Sequence, residues 1–169
     1  MFDSSKYLSS AEDQYFLKML ARIETRDTLI LSLLRRYGMR ASELLALRKG
    51  DLNESDRAIR VIGLKGSRPR EFLVRRDLFQ RLLRQSFELN SDDRIFPISY
   101  NRLCEIWHIY RPSKKPLHSL RHTFAVELYK RSKDIQLVQQ ALGHKSLSNT
   151  MIYQQYAYTR SELSKFTNL

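Results

Sequence analysis

Apolar residues recur along this chain at two different periods, and the change of period marks out its parts. Leu29, Ile30, Leu33, Leu34 and Tyr37 fall on one face at a repeat of about 3.6 residues, which predicts a helix, and Gly38 supplies its stop. An earlier helix is expected to begin near Ser10, because Ser9 and Glu12 form a capping-box pair in which each side chain satisfies an otherwise unpaired amide. Arg40 therefore falls just past a helix end. Ala41 to Leu47 then predicts a short helix, closed by Lys49-Gly50-Asp51. From Ala58 to Val74 the texture changes to β-formers, with Ile59, Val61 and Ile62 before a Gly-Ser-Pro turn and Phe72, Leu73 and Val74 after it. This predicts a hairpin with Lys65 near its tip.

Four helical patterns follow: Leu78, Phe79, Leu82, Leu83; Tyr100, Leu103, Ile106, Trp107, Tyr110; Leu120, Phe124, Leu128; and Ile135, Val138, Leu142. Lys114-Lys115-Pro116 is a loop between the second and third. A last helix from about Ser148 carries Tyr153, Tyr156 and Tyr158. Internal repeats and low-complexity segments are absent from the sequence. The expected fold class is α+β: mainly α with a small antiparallel β-sheet or hairpin.

Composition adds a partner. The 169 residues fit one domain, spanning 1–169, with enough chain to bury a core without staples. Lys and Arg number 30 against 18 Asp and Glu, so the formal charge is +12, spread over the domain, which points to a polyanion. A basic surface that only confers solubility is the blander account, and nucleic acid is favoured over an anionic membrane. No run of 18 apolar residues is present, the N-terminal Met1-Phe2-Asp3-Ser4 does not look like a signal peptide, and the mean hydropathy is −0.49. A soluble, cytoplasmic protein is expected, associated with the nucleoid or, if a mobile element encodes it, at work in a host's cytoplasm. The single cysteine, Cys104, cannot form an internal disulfide and lies among Leu103, Ile106 and Trp107, so it reads as a core residue.

The chemistry lies in five separated blocks. The densest is His118-Ser119-Leu120-Arg121-His122-Thr123-Phe124-Ala125, followed by Leu142-Gly143-His144 and, nine residues after that histidine, Tyr153 in the context Thr150-Met151-Ile152. Upstream lie Gly38-Met39-Arg40-Ala41-Ser42-Glu43-Leu44, continued by Leu47 and Asp51, and Gly63-Leu64-Lys65-Gly66-Ser67-Arg68-Pro69-Arg70. In this order the blocks resemble the tyrosine recombinase (phage integrase) family, whose patterns run roughly G-x-R-x-S-E-L-x-x-L and G-K-G-x-K-x-R. One inserted leucine before Lys65 is a departure from the second pattern. The resemblance runs from about Leu8 to Tyr158, nearly all of the family's catalytic domain.

That resemblance implies a DNA strand-breaking and rejoining enzyme acting through a covalent 3′-phosphotyrosyl intermediate, in integration, excision or inversion and often on a mobile genetic element. Displacement at a phosphodiester needs an in-line nucleophile, neutralisation of the non-bridging oxygens and a proton for the leaving oxygen. Arginine suits the second task because its planar fork donates two parallel bonds and stays ionised. By resemblance, Tyr153 is the nucleophile, Arg40 and Arg121 hold the scissile phosphate, and Lys65 is the general acid. His118 and His144 assist, and Glu43, three residues after Arg40, orients its guanidinium. No metal, ATP or other cofactor is implied. A zinc ion on His118 and His122 is disfavoured because cysteine and carboxylate ligands are not at hand, and His122 reads as structural.

Each residue also has a blander account: Tyr153 as a half-buried helix aromatic, with Tyr156 or Tyr158 in its place, Arg40 as a solvated charge, Lys65 as a hairpin-tip lysine. Their embedding in the blocks is what sets them apart. Arg68, Arg70, Lys114, Lys115 and Lys145 flank these segments and are the candidates for further phosphate contacts on double-stranded DNA. The resemblance also implies a homotetramer on two sites, with a monomer compatible with the free state, and leaves room for accessory DNA-bending proteins. Leu163 and Phe166 are the candidates for docking on a neighbouring subunit. The helical core-binding domain that most of the family place before the catalytic one is expected to be absent. Two alternatives stay open: relaxation of supercoils in the manner of type IB topoisomerases, and a non-enzymatic DNA-binding regulator reading DNA through the Asp134–Tyr156 region.

Overall fold

The computed structural model describes residues 4–64 and 66–156. Among the described residues eight α-helices and three short strands follow one another, and the local signals account for several of their ends. Helix α1 (Ser10–Arg22) starts at the expected capping box, in which the Ser9 amide donates to Glu12 Oε2 at 2.6 Å and the Glu12 amide to Ser9 Oγ at 3.3 Å. Helix α2 (Arg26–Tyr37) is capped by Thr25 and Thr28 in the same reciprocal way and ends at Gly38, which adopts φ +58°. A Cβ on Gly38 would lie 2.2 Å from the Phe124 ring, so both backbone and space require glycine.

Helix α3 (Ala41–Leu45) is shorter than expected. The Leu47 amide bonds back only three residues, to the Leu44 carbonyl, and Arg48 is already extended, so the chain leaves through a 3₁₀ turn over Lys49–Asp51. Strands β1 (Leu52–Asn53), β2 (Ala58–Val61) and β3 (Arg70–Leu73) form an antiparallel sheet in that order, with Ile59 opposite Phe72 and Arg60 opposite Glu71. The hairpin is as expected; the two-residue β1, too short for a periodic signal, was not. Helices α4 (Arg76–Gln85), α5 (Tyr100–Tyr110), α6 (Ser119–Ser132) and α7 (Ile135–Leu142) occupy the four predicted segments. The last predicted helix is a single α turn, α8 (Ser148–Met151), continued as 3₁₀ from Ile152 to Tyr156. Tyr158, Lys65, Leu163 and Phe166 lie outside the described residues.

Helix α2 runs through the middle of the molecule. Every residue from Thr28 to Arg35 is buried, so its apolar stripe has widened to nearly the whole circumference. Around it pack Phe16, Leu44, Ile59, Leu82, Phe96 and Trp107, with Phe16 set edge-on to Trp107 at 5.6 Å. Arg35 is tolerated there because its guanidinium bonds both oxygens of the buried Asp13, at 2.5 Å each. Cys104 is only half-buried; Leu103, Ile106 and Trp107 take the inner face of α5. A second, smaller apolar cluster of Ala125, Val126, Val138, Leu142 and Tyr153 joins α6, α7 and the final turn. Among the described residues no helix is long and apolar enough to cross a membrane.

Candidate active site

Four segments distant in sequence meet at one cleft, and backbone carbonyls hold them together. Arg121 is buried on the first turn of α6. Its Nη1 donates to the Gly38 carbonyl at 2.5 Å, and its Nη2 to the Leu142 carbonyl at 2.7 Å and to His144 Nε2 at 3.1 Å. One guanidinium thus ties the end of α2 to the end of α7. Arginine has no acceptor, so His144 must accept at Nε2; its Nδ1 then carries the proton and donates to Thr150 Oγ1 at 2.9 Å. That places the imidazole in one tautomer and one orientation, with the turn leading to Tyr153 as its support.

Gly143 closes α7 at φ +68°, and its carbonyl accepts from the Arg68 amide at 2.8 Å and from Ser67 Oγ at 3.2 Å. A Cβ there would stand 2.7 Å from the Arg68 carbonyl oxygen. The β2–β3 loop, which carries Lys65, is thereby fastened to the turn that carries His144. Ser67 Oγ also accepts from Arg40 Nη1 at 2.7 Å, bringing in the fourth segment.

Beneath the arginines lies a buried carboxylate. Glu43 accepts from the Arg40 amide at 2.8 Å, from Arg40 Nη1 at 3.3 Å, and from both Nη atoms of Arg70 at 3.0 and 2.8 Å; Arg121 stands 3.9 Å away. Burial opposes its ionisation, but the bonds from Arg70 and the Arg40 amide prevail and hold its pKa below the usual carboxylate value. Glu43 therefore does touch the Arg40 guanidinium, as anticipated, but its stronger partner is Arg70. Arg70 is a correction: as a candidate for outward phosphate contact it was expected at the surface, yet its side chain is 7% exposed and forms a fork with Glu43. Lys115 is likewise engaged, with Nζ 2.6 Å from Glu12, and ties its loop to α1. Arg68, Lys114 and Lys145 are exposed.

The cleft has a volume of about 410 Å³, and Arg40, His118, Arg121, His122, His144 and Tyr153 are among the residues lining it. Its charges are mostly positive and partly desolvated. Burial, then Arg40, lower Arg121 to about 9, which leaves it protonated at neutral pH. Burial and Arg121 lower His144 to about 4, and desolvation with Arg121 and Arg40 lowers His118 as well. Both shifts favour the neutral imidazole, and in His144 both ring nitrogens are engaged, Nε2 by Arg121 and Nδ1 by Thr150. Tyr153 is 2% exposed, with its hydroxyl 2.9 Å from His122 Nδ1. His122, read from the sequence as structural, touches the tyrosine directly. Ser67 and Thr150 fall inside the quoted blocks but were given no role, since a lone hydroxyl carries no periodic or spacing signal of its own.

The arrangement gathers two guanidiniums, neutral imidazoles and a phenol about one cleft. The chain matches the phage integrase family over residues 6–160. It is similar to the tyrosine recombinase XerH of Campylobacter jejuni, 30% identical across 94% of this chain and 51% of that protein. It is also similar to XerC of Mannheimia succiniciproducens, 35% identical over 78% of this chain and 49% of that one. The chain spans about half the length of the curated relatives it matches. Among solved structures, the XerH site-specific recombinase bound to its palindromic difH substrate in a post-cleavage complex aligns with a TM-score of 0.75 at 26% identity, over 96% of this chain and 52% of that one. The catalytic domain of bacteriophage HP1 integrase aligns over 96% of this chain and 94% of its own with a TM-score of 0.66; at 22% identity that likeness shows the fold alone. With the ordered blocks, the mainly helical fold and these matches in agreement, the chain belongs to the phage integrase family of tyrosine recombinases.

Proposed function

We propose that this chain is the catalytic domain of a site-specific recombinase that cuts and rejoins double-stranded DNA through a 3′-phosphotyrosyl intermediate. The observation that carries the reading is the convergence of Arg40, His118, Arg121, His144 and Tyr153 on one cleft. The Tyr153 oxygen attacks phosphorus as the bond to the 5′ oxygen breaks, the phenolic proton passes to a neutral imidazole of the cleft, and the 5′ oxygen takes a proton from Lys65. Arg40 and Arg121 neutralise the non-bridging oxygens as charge builds on them. The reverse attack by a 5′ hydroxyl rejoins the strand, so the bond energy is conserved and neither ATP nor metal is called for. The protein acts in the cytoplasm on DNA, and exchange between two sites takes place in a homotetramer. The named relatives are recombinases, which favours exchange over simple relaxation.

The test is trapping of SDS-resistant adducts on nicked suicide duplexes drawn from the DNA flanking its gene, without metal or nucleotide. Wild type forms adducts and Tyr153→Phe forms none while still binding the DNA. Adducts from Tyr153→Phe overturn the nucleophile assignment. Lys65→Ala slows cleavage of ordinary DNA and is rescued by a bridging 5′ sulfur, whose departure needs no proton; without rescue, Lys65 is not the acid.

A further inference from the structure

Tyr153 lines two cavities, and one histidine stands against it. The larger is the phosphate cleft with Arg40, Arg121 and His144; the other, about 250 Å³, is lined by Lys6, Tyr7 and Val126, and His122, Ile152 and Tyr153 line both. Tyr153 belongs to a short 3₁₀ segment after a single α turn, a weak support for a group that must meet phosphorus in line. His122 lies on the fourteen-residue α6, between Arg121 with its carbonyl bonds and Thr123, whose Oγ1 donates to the Ser119 carbonyl at 2.7 Å and accepts from the Leu8 amide at 2.8 Å. Its ring meets the phenol at 5.8 Å and 53° and is backed edge-on by His118 at 4.7 Å.

We propose that His122 is a positioning residue for the nucleophile: through the 2.9 Å bond at Nδ1 it fixes the phenolic oxygen of Tyr153 toward the phosphate cleft and away from the second cavity. The proposal rests on Tyr153 being the nucleophile. In this arrangement Nδ1 accepts a hydrogen bond from the phenolic O–H, which only a neutral ring with its proton on Nε2 can do. Burial, then His118, Arg121 and Lys6, lower His122 to about 4, so the ring is neutral under physiological conditions. His118, exposed at the rim of the cleft, is left for the phosphate and its protons.

The experiment compares His122→Leu, His122→Asn and His122→Gln in the full chain, reading the single-turnover cleavage rate on the suicide duplex at saturating protein. Thermal stability and DNA affinity are followed in parallel, with Tyr153→Phe as reference. Asparagine can place a polar atom where Nδ1 was, whereas glutamine reaches toward the Nε2 position. The expected result is a loss of about tenfold or more for leucine at unchanged affinity, rescue by asparagine to within about threefold, and no rescue by glutamine. Leucine at the wild-type rate overturns the proposal, as do asparagine and glutamine variants slowed equally, which marks a packing role. If the leucine variant does not fold, the asparagine–glutamine contrast decides. If Tyr153→Phe still forms adducts, the reading beneath has failed; if it does not and the His122 variants cleave normally, only the proposal has.

Discussion

The two apolar clusters of this domain are built for different ends. The large one around α2 holds Phe16, Leu33, Phe96 and Trp107, and its buried charges, Arg35 and Asp13, satisfy each other inside the fold. The small one between α6, α7 and the last turn holds Ala125, Val126, Val138, Leu142 and Tyr153, the proposed nucleophile. The polar residues around it make directed bonds to other segments: Arg121 to the Leu142 carbonyl and the His144 ring, Thr150 to that same ring, and Thr123 to the Leu8 amide. Apolar mass stabilises the first region; hydrogen bonds that fix direction hold the second. Chemistry is placed where position depends on a few directed contacts, and the large core keeps the whole folded.

That division breaks most severely at Arg121, which serves both sides. Arg121→Ala is expected to lower the cleavage rate by about two to three orders of magnitude, the loss typical of a main charge-stabilising contact. It also lowers the unfolding free energy by about 3 kcal/mol, because the Gly38 and Leu142 carbonyls lose their buried donor. Arg40→Ala, at a more exposed position, reaches a similar rate loss of about two orders with little change in urea midpoint. Single-turnover adduct formation and urea titration on the same samples separate the two effects.

Leu33→Ala tests the other side: about 2–5 kcal/mol of stability is lost, while the cleavage rate of the remaining folded protein stays within about twofold of wild type. Val138→Ala costs less, about 2 kcal/mol, but slows cleavage severalfold because it loosens the packing under Tyr153. Equal rate losses from both would erase the distinction between the clusters.

Acid acts on the catalytic side first. His122 and His144 have folded pKa values of about 4 against about 6.5 when unfolded, so between those limits the unfolded chain binds more protons. The stability they contribute is complete above pH 6.5 and is lost as pH falls toward 4; Glu43, held below its ordinary value, gives way only at lower pH. Unfolding free energies measured across that window fall with acid, and His144→Gln flattens the slope. The smallest effects belong to the surface: Arg68→Ala or Lys145→Ala weakens DNA binding regardless of sequence, each lowering the salt slope of the binding constant by about one.

How much of this was legible in the sequence follows the range of each interaction. The capping residue Ser9 and the stop at Gly38 act over three or four positions, and the start of α1 and the end of α2 fall where those signals put them. The ordered blocks located the segments that build the cleft. The Asp13–Arg35 pair, the inward turn of Arg70 onto Glu43 and the clasp of Ser67 on Arg40 join residues more than twenty positions apart, through side chains whose ordinary place is the surface. Nothing in local periodicity distinguishes such a residue from a solvated one. His122 was underrated for a related reason: its spacing from His118 was visible, whereas its meeting with Tyr153 depends on how the last turn folds back on α6.

Gly143 carries a consequence for how this domain can change over time. Its carbonyl and its missing side chain fit one arrangement of Ser67, Arg68 and Arg70, so neither the lysine-bearing loop nor the histidine-bearing turn is free to drift alone. A lengthened loop or an alanine in the turn pushes directly on its opposite number. The two segments, far apart in the chain, form a single unit of inheritance: chimeras between relatives that swap one without the other should fail, and those that swap both should work.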